Sequence, residues 1–368
     1  MRFHSFDGEW SEYNLGEVVE ILDNLRKPIK ETNRIKMTGE FPYYGASGVI
    51  DHINKYIFDG DFVLLSEDGA NIIDRSSRVA FEVHGKCWIN NHAHVLKTIN
   101  HNLTFISEYL ESKKYDEYNT GTAQPKLNQE VIKTIPIFIP KLLEEEHKIA
   151  DLLAKINSKI ETQNKIIEEI NILKKAIYNS IFGSNKFEST MYLLSCFLTT
   201  AKCSKEFNPN REKLITVKLN EKGVIRNKNT EALKINSTIY YVRKAGQFIY
   251  GKQNIFNGAI GIVPAELDGF LSSNDVPTLD FLKKETSELV LKSISYSCYN
   301  WEKYASGTGS KRIHEAQLLN CQIPFPNEKY VPSIIKFLKV IDKKNQNEIK
   351  LLNLYKTQKN YLLQNLFI

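Results

Sequence analysis

The chain has 368 residues, of which 42% are hydrophobic and 25% are charged, and its formal net charge is +6. These values are ordinary for globular proteins and exclude wholesale disorder, collagen-like chains and chains made only of coiled coil. The length predicts two domains. Because no apolar run approaches the roughly 20 residues of a membrane span or forms a signal peptide, the sequence predicts a cytoplasmic protein without membrane contact.

The net charge conceals an imbalance between the two halves of the chain. Residues 1–190 contain 23 Lys and Arg against 28 Asp and Glu, a net charge of −5. Residues 191–368 contain 26 Lys and Arg against 15 Asp and Glu, a net charge of +11. A basic half is compatible with a nucleic acid partner, but charge alone describes only solubility and non-specific attraction.

In chain order, the sequence alternates between globular segments and long helices. The globular segments, 1–143 and 184–327, mix turns with short β-like runs at 61–65, 78–83, 237–243, 247–250 and 259–263. Short helices are expected at Leu15–Leu22, Phe105–Tyr115 and Glu288–Cys298. The segments 144–183 and 328–368 are predicted to be the two long helices. The predicted fold class is therefore α+β, with two similar domains separated by long helices.

Both long helices carry the same heptad pattern of apolar residues. Positions spaced alternately four and three residues apart are apolar eight times in ten in the first helix and seven times in ten in the second. The polar interruptions also correspond, because Gln163 aligns with Glu348 and Lys174 aligns with Lys359. Such sustained heptads indicate a coiled-coil seam, whose helices can run parallel or antiparallel. The predicted seam residues are Ile149, Leu153, Ile156, Ile160, Ile167, Ile170, Ile177, Ile181, Ile334, Leu338, Ile341, Leu352, Tyr355, Leu362 and Leu366.

The two globular segments are copies of one another at an offset of 186 residues. Tyr118-Asn-Thr-Gly-Thr-Ala-Gln-Pro-Lys-Leu aligns without a gap with Tyr304-Ala-Ser-Gly-Thr-Gly-Ser-Lys-Arg-Ile. At the same offset, Asp59-Gly-Asp-Phe aligns with Ala245-Gly-Gln-Phe. A period of half the chain length indicates a duplicated domain rather than a solenoid.

The sequence contains no convincing catalytic or metal-binding constellation. Gly246–Gln253 comes near the P-loop spacing, but it ends in Gln and has a bulky interior, so we predict a strand end there. His92 and His94 with Cys87 offer three potential ligands and no fourth, so we predict no metal site. The five cysteines include no Cys-x-x-Cys pair, which argues against a disulfide framework. The Asn/Asp-Pro-Pro-Tyr/Phe loop that would hold a flipped adenine is absent from the sequence.

These features together resemble the specificity subunit of type I restriction–modification systems. The resemblance rests on the duplicated domain-plus-helix order, the two Gly-Thr segments, and Leu142-Leu-Glu-Glu-Glu-His-Lys-Ile-Ala at the start of the first long helix. Leu65-Ser-Glu-Asp-Gly-Ala-Asn and Trp88-Ile-Asn-Asn-His-Ala-His add to it. The resemblance covers almost the whole chain and departs at residues 184–200, where a second Trp…Leu-Gly entry is missing.

The resemblance implies a non-catalytic DNA reader. In this family each globular domain is a target recognition domain that reads one half of a split DNA sequence, and the long helices form an antiparallel coiled coil that sets the spacer. An antiparallel pair suits the duplication because it relates the two domains by a pseudo-two-fold axis, as in dimeric DNA readers. The implied partners are double-stranded DNA, two modification (methyltransferase) subunits and restriction (motor–nuclease) subunits. The resemblance places S-adenosylmethionine, ATP and Mg in those partner subunits and no cofactor in this chain.

The side chains that would contact DNA are predicted from the cations and one histidine of the loops. Arg and Lys commonly bind phosphates and guanine edges. Lys126 and Arg312 stand out because the repeat places a cation at the same position twice. The predicted DNA-contacting residues are Arg75, Arg78, Lys86, His92, Lys126, Arg226, Lys228, Lys252, Lys311 and Arg312.

Two other functions remain open from the sequence. One is a specificity module that serves a type II-like methyltransferase–nuclease, and the other is a coiled-coil scaffold that binds only proteins. Neighbouring genes for a methyltransferase and a helicase-like nuclease would favour the type I reading over both.

Overall fold

The computed structural model describes residues 2–183, 185–228, 230–231, 238–307 and 310–367. Ser237 of a predicted strand and Thr308 of the repeated Gly-Thr segment lie outside these residues. The chain divides into two compact units, which we call unit 1 (residues 1–166 with 348–368) and unit 2 (residues 167–347). None of the described helices is long and apolar enough to cross a membrane.

Helices and strands are both abundant, which confirms the predicted mixture of the two. The strands are β1 Trp10–Asn14, β2 Val19–Ile21, β3 Thr38–Gly45, β4 Gly48–Ile53, β5 Phe58–Ser66, β6 Ala80–Ile89, β7 Ala93–Thr98, β8 Pro136–Pro140, β9 Thr190–Leu193, β10 Leu198–Thr200, β11 Lys205–Glu206, β12 Ile215–Val217, β13 Val224–Arg226, β14 Tyr240–Val242, β15 Phe248–Tyr250, β16 Ile260–Ile262, β17 Leu271–Ser273, β18 Thr278–Phe281 and β19 Gln322–Phe325. The α-helices are α1 Leu15–Val18, α2 Glu31–Arg34, α3 Asn71–Asp74, α4 Leu103–Ser112, α5 Gln129–Lys133, α6 Leu143–Gly183, α7 Ser287–Ser297, α8 Glu315–Leu319 and α9 Val331–Leu366.

Unit 1 is organised around a six-stranded sheet with the strand order β2-β7-β5-β6-β3-β4. All neighbouring strands pair antiparallel except β3 and β6, which are parallel. The central strand β5 is buried on both faces. Val63 and Leu65 face a core that contains α4, whereas Phe62 and Leu64 face a second core with β6. This two-sided burial explains why β5 is an unbroken apolar run instead of an alternating one.

Unit 2 contains smaller sheets than unit 1. Its strands form the orders β10-β18-β15-β16 and β11-β14-β17, with the separate pairs β12-β13 and β9-β19. In both units the globular part ends in an antiparallel two-stranded pair, β1-β8 or β9-β19, just before a long helix. The predicted P-loop-like segment is the strand β15, which confirms the strand interpretation.

Each unit contains a portion of both long helices. In unit 1, Lys159 of α6 lies over the ring of Tyr355 in α9 at 5.6 Å, and Gln163 bonds Glu348 at 2.5 Å. In unit 2, Lys174 of α6 contacts Asp342 of α9. Within unit 1, a rising residue number on α6 meets a falling number on α9, so the helices run in opposite directions there. All predicted seam residues are buried or half-buried.

The predicted helix Leu15–Leu22 is wrong beyond Val18. Residues Val19–Ile21 form β2 and pair with β7, and the β-branched Val19 and Ile21 favour a strand that can join the sheet. The other two short helices are present with shifted ends, as α4 and α7.

Candidate nucleic-acid interface

Each unit contains a loop built from the repeated Gly-Thr segment. We call these the first Gly-Thr loop (residues 119–127) and the second Gly-Thr loop (residues 305–307 and 310–313). Glycine is required in the first loop because a Cβ at Gly121 would lie 1.8 Å from the carbonyl oxygen of Gln124. In the second loop Gly307 has a φ of 111°, which residues with a side chain rarely adopt. The glycine of the repeat is therefore a requirement of the loop conformation.

The two Gly-Thr loops are closed by equivalent hydrogen bonds. The N–H of Thr120 donates to the carbonyl of Lys126 at 2.8 Å, and the N–H of Ser306 donates to the carbonyl of Arg312 at 2.9 Å. The reverse bond differs. The N–H of Lys126 donates to the side chain of Asn119 at 2.9 Å, whereas the N–H of Arg312 donates to the carbonyl of Ser306 at 3.0 Å. The repeat thus preserves the backbone closure while its side-chain support varies.

The last residue of each Gly-Thr loop is hydrogen-bonded to a residue that follows a central strand of its unit. The N–H of Leu127 donates to the carbonyl of Glu67, just after β5, at 2.8 Å. The N–H of Ile313 donates to the carbonyl of Lys252, shortly after β15, at 3.0 Å. Leu127 and Ile313 are fully buried, so both loops are anchored in the core at their last residue.

Ion pairs surround the base of the first Gly-Thr loop. Arg26 donates to the Glu67 carboxylate at 2.6 Å and lies 3.2 Å from the Asp23 carboxylate. Lys126 Nζ lies 3.3 Å from the other oxygen of Glu67. His94 Nδ1 lies 2.5 Å from Asp23. Burial disfavours ionisation of Asp23, but the hydrogen bond from His94 and the nearby charges outweigh it and hold the pKa of that carboxyl below its ordinary value.

This ion-pair network also contains the residue types of a metal site. Asp23, Glu67 and His94 offer ligand atoms within 4.8 Å of one another. The guanidinium of Arg26, however, contacts both carboxylates and so supplies the compensating positive charge itself. The arrangement is therefore that of an internal ion-pair network, and it anchors the first Gly-Thr loop rather than presenting open ligands.

A shallow groove lies beside the first Gly-Thr loop. We call it the first groove, and its walls are residues 46–50, residues 68–71 and His92. The half-exposed His92 pairs through Nδ1 with Asp68 at 2.8 Å, and Asp68 also bridges to Lys126 through the backbone. Cys87, which the sequence grouped with these histidines, is buried in β6, where burial raises the pKa of its thiol to about 12. The structure therefore brings His92 and Lys126 together and leaves Cys87 apart in the sheet.

A second groove lies beside the second Gly-Thr loop in unit 2. The second groove is lined by residues 214–216, Asn227, residues 238–241 and residues 272–276. Arg312 Nε lies 4.0 Å from Asp275 Oδ1. Lys252 is buried, and its ammonium lies 3.3 Å from Glu315 and 3.4 Å from the amide oxygen of Asn274. Of these two predicted contacts, Arg312 is available to a ligand, whereas Lys252 supports the groove from within.

The structure places Arg75 and Arg78 in ion pairs with helix α4. Arg75 lies 3.3 Å from the Glu111 carboxylate and donates to the backbone carbonyl of the same residue. Arg78 donates to the fully buried Glu108 at 2.6 Å. These two arginines have an internal role that their sequence neighbourhood did not reveal, because Glu108 and Glu111 are about 30 residues further along the chain.

The other predicted cations lie on the surface of their units. Lys228 is exposed and follows Asn227, which lines the second groove. Lys86 lies over the ring of Tyr56 at 4.8 Å. Arg226 lies 3.6 Å from Glu212, and Lys311 lies 2.7 Å from Glu302.

Sequence reasoning selected cations and missed the amides and carboxylates of the grooves. Asp68 and Asn71 line the first groove, and Asn274 and Asp275 line the second. Such side chains can bond adenine or cytosine edges. The signal for Asp68 in the sequence is the turn chemistry of Asp-Gly shortly after the apolar residues of β5.

Comparisons with known sequences point in one direction. A family model described as a type I restriction modification DNA specificity domain matches residues 7–172. A putative type I restriction enzyme specificity subunit, S.HindORF215P of Haemophilus influenzae, is 36% identical over 153 residues, which cover 41% of this chain and 38% of the relative. The MjaVIII specificity subunit of Methanocaldococcus jannaschii is 22% identical over 187 residues, 49% of this chain and 43% of the relative. The chain thus matches less than half the length of these curated relatives.

The similarity to solved structures covers nearly the whole chain. The S subunit of a type I restriction–modification system from M. genitalium superposes with a TM-score of 0.63 at 14% identity, over 100% of this chain and 99% of that one. A chain from a structural study of complex assembly in a type I R-M system superposes with a TM-score of 0.54 at 13% identity, over 98% of both chains. At these identities the likeness concerns the fold.

Proposed function

We propose that the chain is the non-catalytic DNA-recognition subunit of a type I restriction–modification enzyme. The match of residues 7–172 to the DNA specificity domain of that class and the likeness of the fold to a solved S subunit support this proposal. Unit 1 reads one half of a bipartite DNA target, and unit 2 reads the other half. Divergence between the two copies lets the half-sites differ in sequence, which a symmetric dimer could not achieve.

One observation carries this proposal: each unit has a closed Gly-Thr loop with an exposed cation near its end, beside a groove that contains amide and carboxylate side chains. The cations are Lys126 and Arg312, whose side chains are 46% and 44% exposed. Cations of this kind contact phosphates and fix the register of a protein on the duplex. The amide and carboxylate side chains of the adjacent grooves can then read base edges. Each unit thus has the two kinds of contact that sequence-specific binding requires.

The long helices are proposed to form an antiparallel coiled coil that sets the distance between the half-sites. The opposite course of α6 and α9 within unit 1 supports this, as do the contacts between α6 and α9 in unit 2. Readers related by a pseudo-two-fold axis bind half-sites about one turn of DNA apart, roughly 10 base pairs or a little more.

Adenine methylation and ATP-driven cleavage are proposed to reside in partner subunits. Two methyltransferase subunits dock on the chain, and restriction subunits then join the assembly. S-adenosylmethionine, ATP and Mg belong to those partners. Support comes from a neighbour with this fold that was studied as part of type I R-M complex assembly.

Methylome sequencing of a host that expresses the chain with its methyltransferase tests the proposal directly. We expect a methylated motif of two different half-sites separated by an unspecified spacer. A continuous palindromic motif would count against two recognition units separated by a coiled coil that sets the spacer.

Binding by the methyltransferase-assembled complex tests the Gly-Thr loops. We expect Arg312→Ala to weaken binding to cognate duplex roughly tenfold and to reduce the salt slope by about one. Lys283→Ala is the matched control. This exposed lysine of unit 2 pairs with Glu328 and belongs neither to the second Gly-Thr loop nor to the lining of the second groove. Unchanged affinity and salt slope for Arg312→Ala would remove the phosphate role of the second Gly-Thr loop.

A further inference from the structure

We propose that His94 in unit 1 and Tyr250 in unit 2 are positioning residues that hold the two Gly-Thr loops through equivalent backbone carbonyls. Each of them determines recognition of one half-site and leaves the other unaffected. This inference rests on the proposed function, since it assigns the half-site selectivity of each loop to a buried donor beneath it.

The two donors meet the same acceptor position in the repeat. His94 Nε2 lies 2.8 Å from the carbonyl oxygen of Leu127, and the hydroxyl of Tyr250 donates to the carbonyl oxygen of Ile313 at 3.1 Å. Leu127 and Ile313 are separated by the repeat offset of 186 residues. The donors, in contrast, come from strands that are not equivalent, because β7 supplies the histidine and β15 the tyrosine. Two different side chains thus serve one function in the two copies.

Both donors are fixed before any ligand binds. His94 is 1% exposed, and its second ring nitrogen lies 2.5 Å from Asp23, whose other oxygen accepts from the backbone N–H of Val95. Both ring nitrogens of His94 face acceptor oxygens, which holds the imidazole in one orientation. Tyr250 is fully buried and stacks on Phe248 with ring centroids 5.8 Å apart.

The held carbonyl directly follows the cation of each loop. Leu127 comes after Lys126, and Ile313 comes after Arg312. Each carbonyl belongs to a buried residue, so a lost donor leaves a buried acceptor without its partner and the loop must shift to reach another. A shift of the peptide changes the direction in which the adjacent cation projects. Recognition of a half-site then suffers even though the cation itself is still present.

Substitutions that separate donor from packing test the inference in the complex with its methyltransferase subunits. Tyr250→Phe removes only the hydroxyl. His94→Asn keeps an amide near Asp23 but cannot reach Leu127, whereas His94→Gln places its amide where Nε2 lies. The measurement is the methylation rate on duplexes that carry single-base changes in either half-site, compared with the cognate duplex.

We expect Tyr250→Phe to reduce discrimination roughly tenfold at the half-site read by unit 2 and to leave the other unchanged. We expect His94→Asn to reduce discrimination at the half-site read by unit 1 and to leave the half-site read by unit 2 unchanged. His94→Gln is expected to restore discrimination at the half-site read by unit 1. Tyr115→Phe is the control, because it removes an equally buried tyrosine–carbonyl bond, to Leu110 in α4, that does not hold a Gly-Thr loop.

Equal losses at both half-sites, or the same loss from Tyr115→Phe, would show a general effect on stability and overturn the inference. Unchanged discrimination in His94→Asn and Tyr250→Phe would overturn it as well, while leaving the DNA-recognition function intact. If the unsubstituted complex itself recognised no bipartite target, the proposed function would fail first, and the inference with it.

Discussion

Units 1 and 2 hold equivalent loops and equivalent helix positions with different chemistry. The base of the first Gly-Thr loop is a network of charges around Glu67, whereas the second is held beneath by Lys252 and the neutral Tyr250. In the helices, Lys359 meets the buried Glu108 of unit 1, but its counterpart Lys174 meets the half-exposed Asp342 of unit 2. The duplication therefore preserved backbone geometry, and the side chains that support it diverged.

The two units therefore differ in how much stability they lose when a charged side chain is removed. In unit 1 several charges are buried together, so removal of one leaves others without compensation. In unit 2 the equivalent helix pair, Lys174 and Asp342, lies nearer to solvent, which screens its charges. Paired substitutions at equivalent positions of the two units test this difference.

The largest expected effect follows from removal of the Glu108 carboxylate. Glu108 is fully buried and contacts Arg78 at 2.6 Å, Lys359 at 2.9 Å and the amide of Asn157 at 2.8 Å. Glu108→Ala leaves Lys359 buried without a counter-charge, and we expect a loss of about 3 kcal/mol in the free energy of unfolding. Urea denaturation followed by circular dichroism measures it.

The matched variant in unit 2 is Asp342→Ala, which removes the partner of Lys174. Because the side chain of Asp342 is 47% exposed, we expect a loss below about 1 kcal/mol. Equal losses from Glu108→Ala and Asp342→Ala would contradict the difference between the units.

Acid is expected to destabilise unit 1 before unit 2. The pKa of Glu108 lies below its ordinary value, because the charges of Arg78 and Lys359 overcome the effect of burial, and the pKa of Asp23 is likewise lowered. A carboxyl with a lowered folded-state pKa contributes its full stabilisation above the ordinary values of 4.5 for Glu and 3.8 for Asp. That stabilisation is lost as the pH falls below those values towards the folded-state pKa.

Hydrogen exchange measured between pH 5 and pH 3, corrected for intrinsic rates, checks this order. Among the described carboxyls of unit 2, the pKa of Glu188 is also lowered, by hydrogen bonds from Lys329 and Tyr330, but this group lies at the surface. We therefore expect peptides of unit 1 to lose protection at the higher pH. Simultaneous loss in both units would argue against a special role for the buried carboxylates.

The polar positions of the helix pair give a second comparison between the units, which includes the smallest expected effect, that of Asn171→Ala. Gln163 is 4% exposed and donates to the Glu348 carboxylate at 2.5 Å. We expect Gln163→Ala to cost about 1–2 kcal/mol, as for a buried hydrogen bond to a charged group. The exposed Asn171 of unit 2 accepts only a long 3.5 Å bond from Asn345, so Asn171→Ala should cost at most about 0.5 kcal/mol. Thermal unfolding of both variants compares them, and a reversed order would contradict the expectation.

Much of the fold could be predicted from the sequence because its signals are local. The heptads of α6 and α9 extend over many turns, and an apolar stripe of that length has one helical interpretation. The segment after Leu15 was harder to predict, because Val18 ends a four-residue helix and the adjacent Val19 begins a strand. Its outcome depended on pairing with β7, which no local pattern contains.

The candidate site was less predictable than the fold. Lys126 and Arg312 could be selected because the repeat marks one position twice. Arg75, Arg78 and Lys252 have the same charge, but their partners Glu111, Glu108 and Glu315 are distant in sequence, so no local signal separated them from exposed cations.

Local sequence patterns were enough to predict the duplication, the order of globular segments and long helices, and the resemblance to type I specificity subunits. These follow from periodicity and from motifs that are continuous in the chain. The tertiary structure placed the cations: Lys126 and Arg312 are nearly half exposed, whereas Lys252 is buried. It also set how each Gly-Thr loop is held. The physical reason is that a charge is defined by what surrounds it, and here the surroundings come from strands and helices far apart in the sequence.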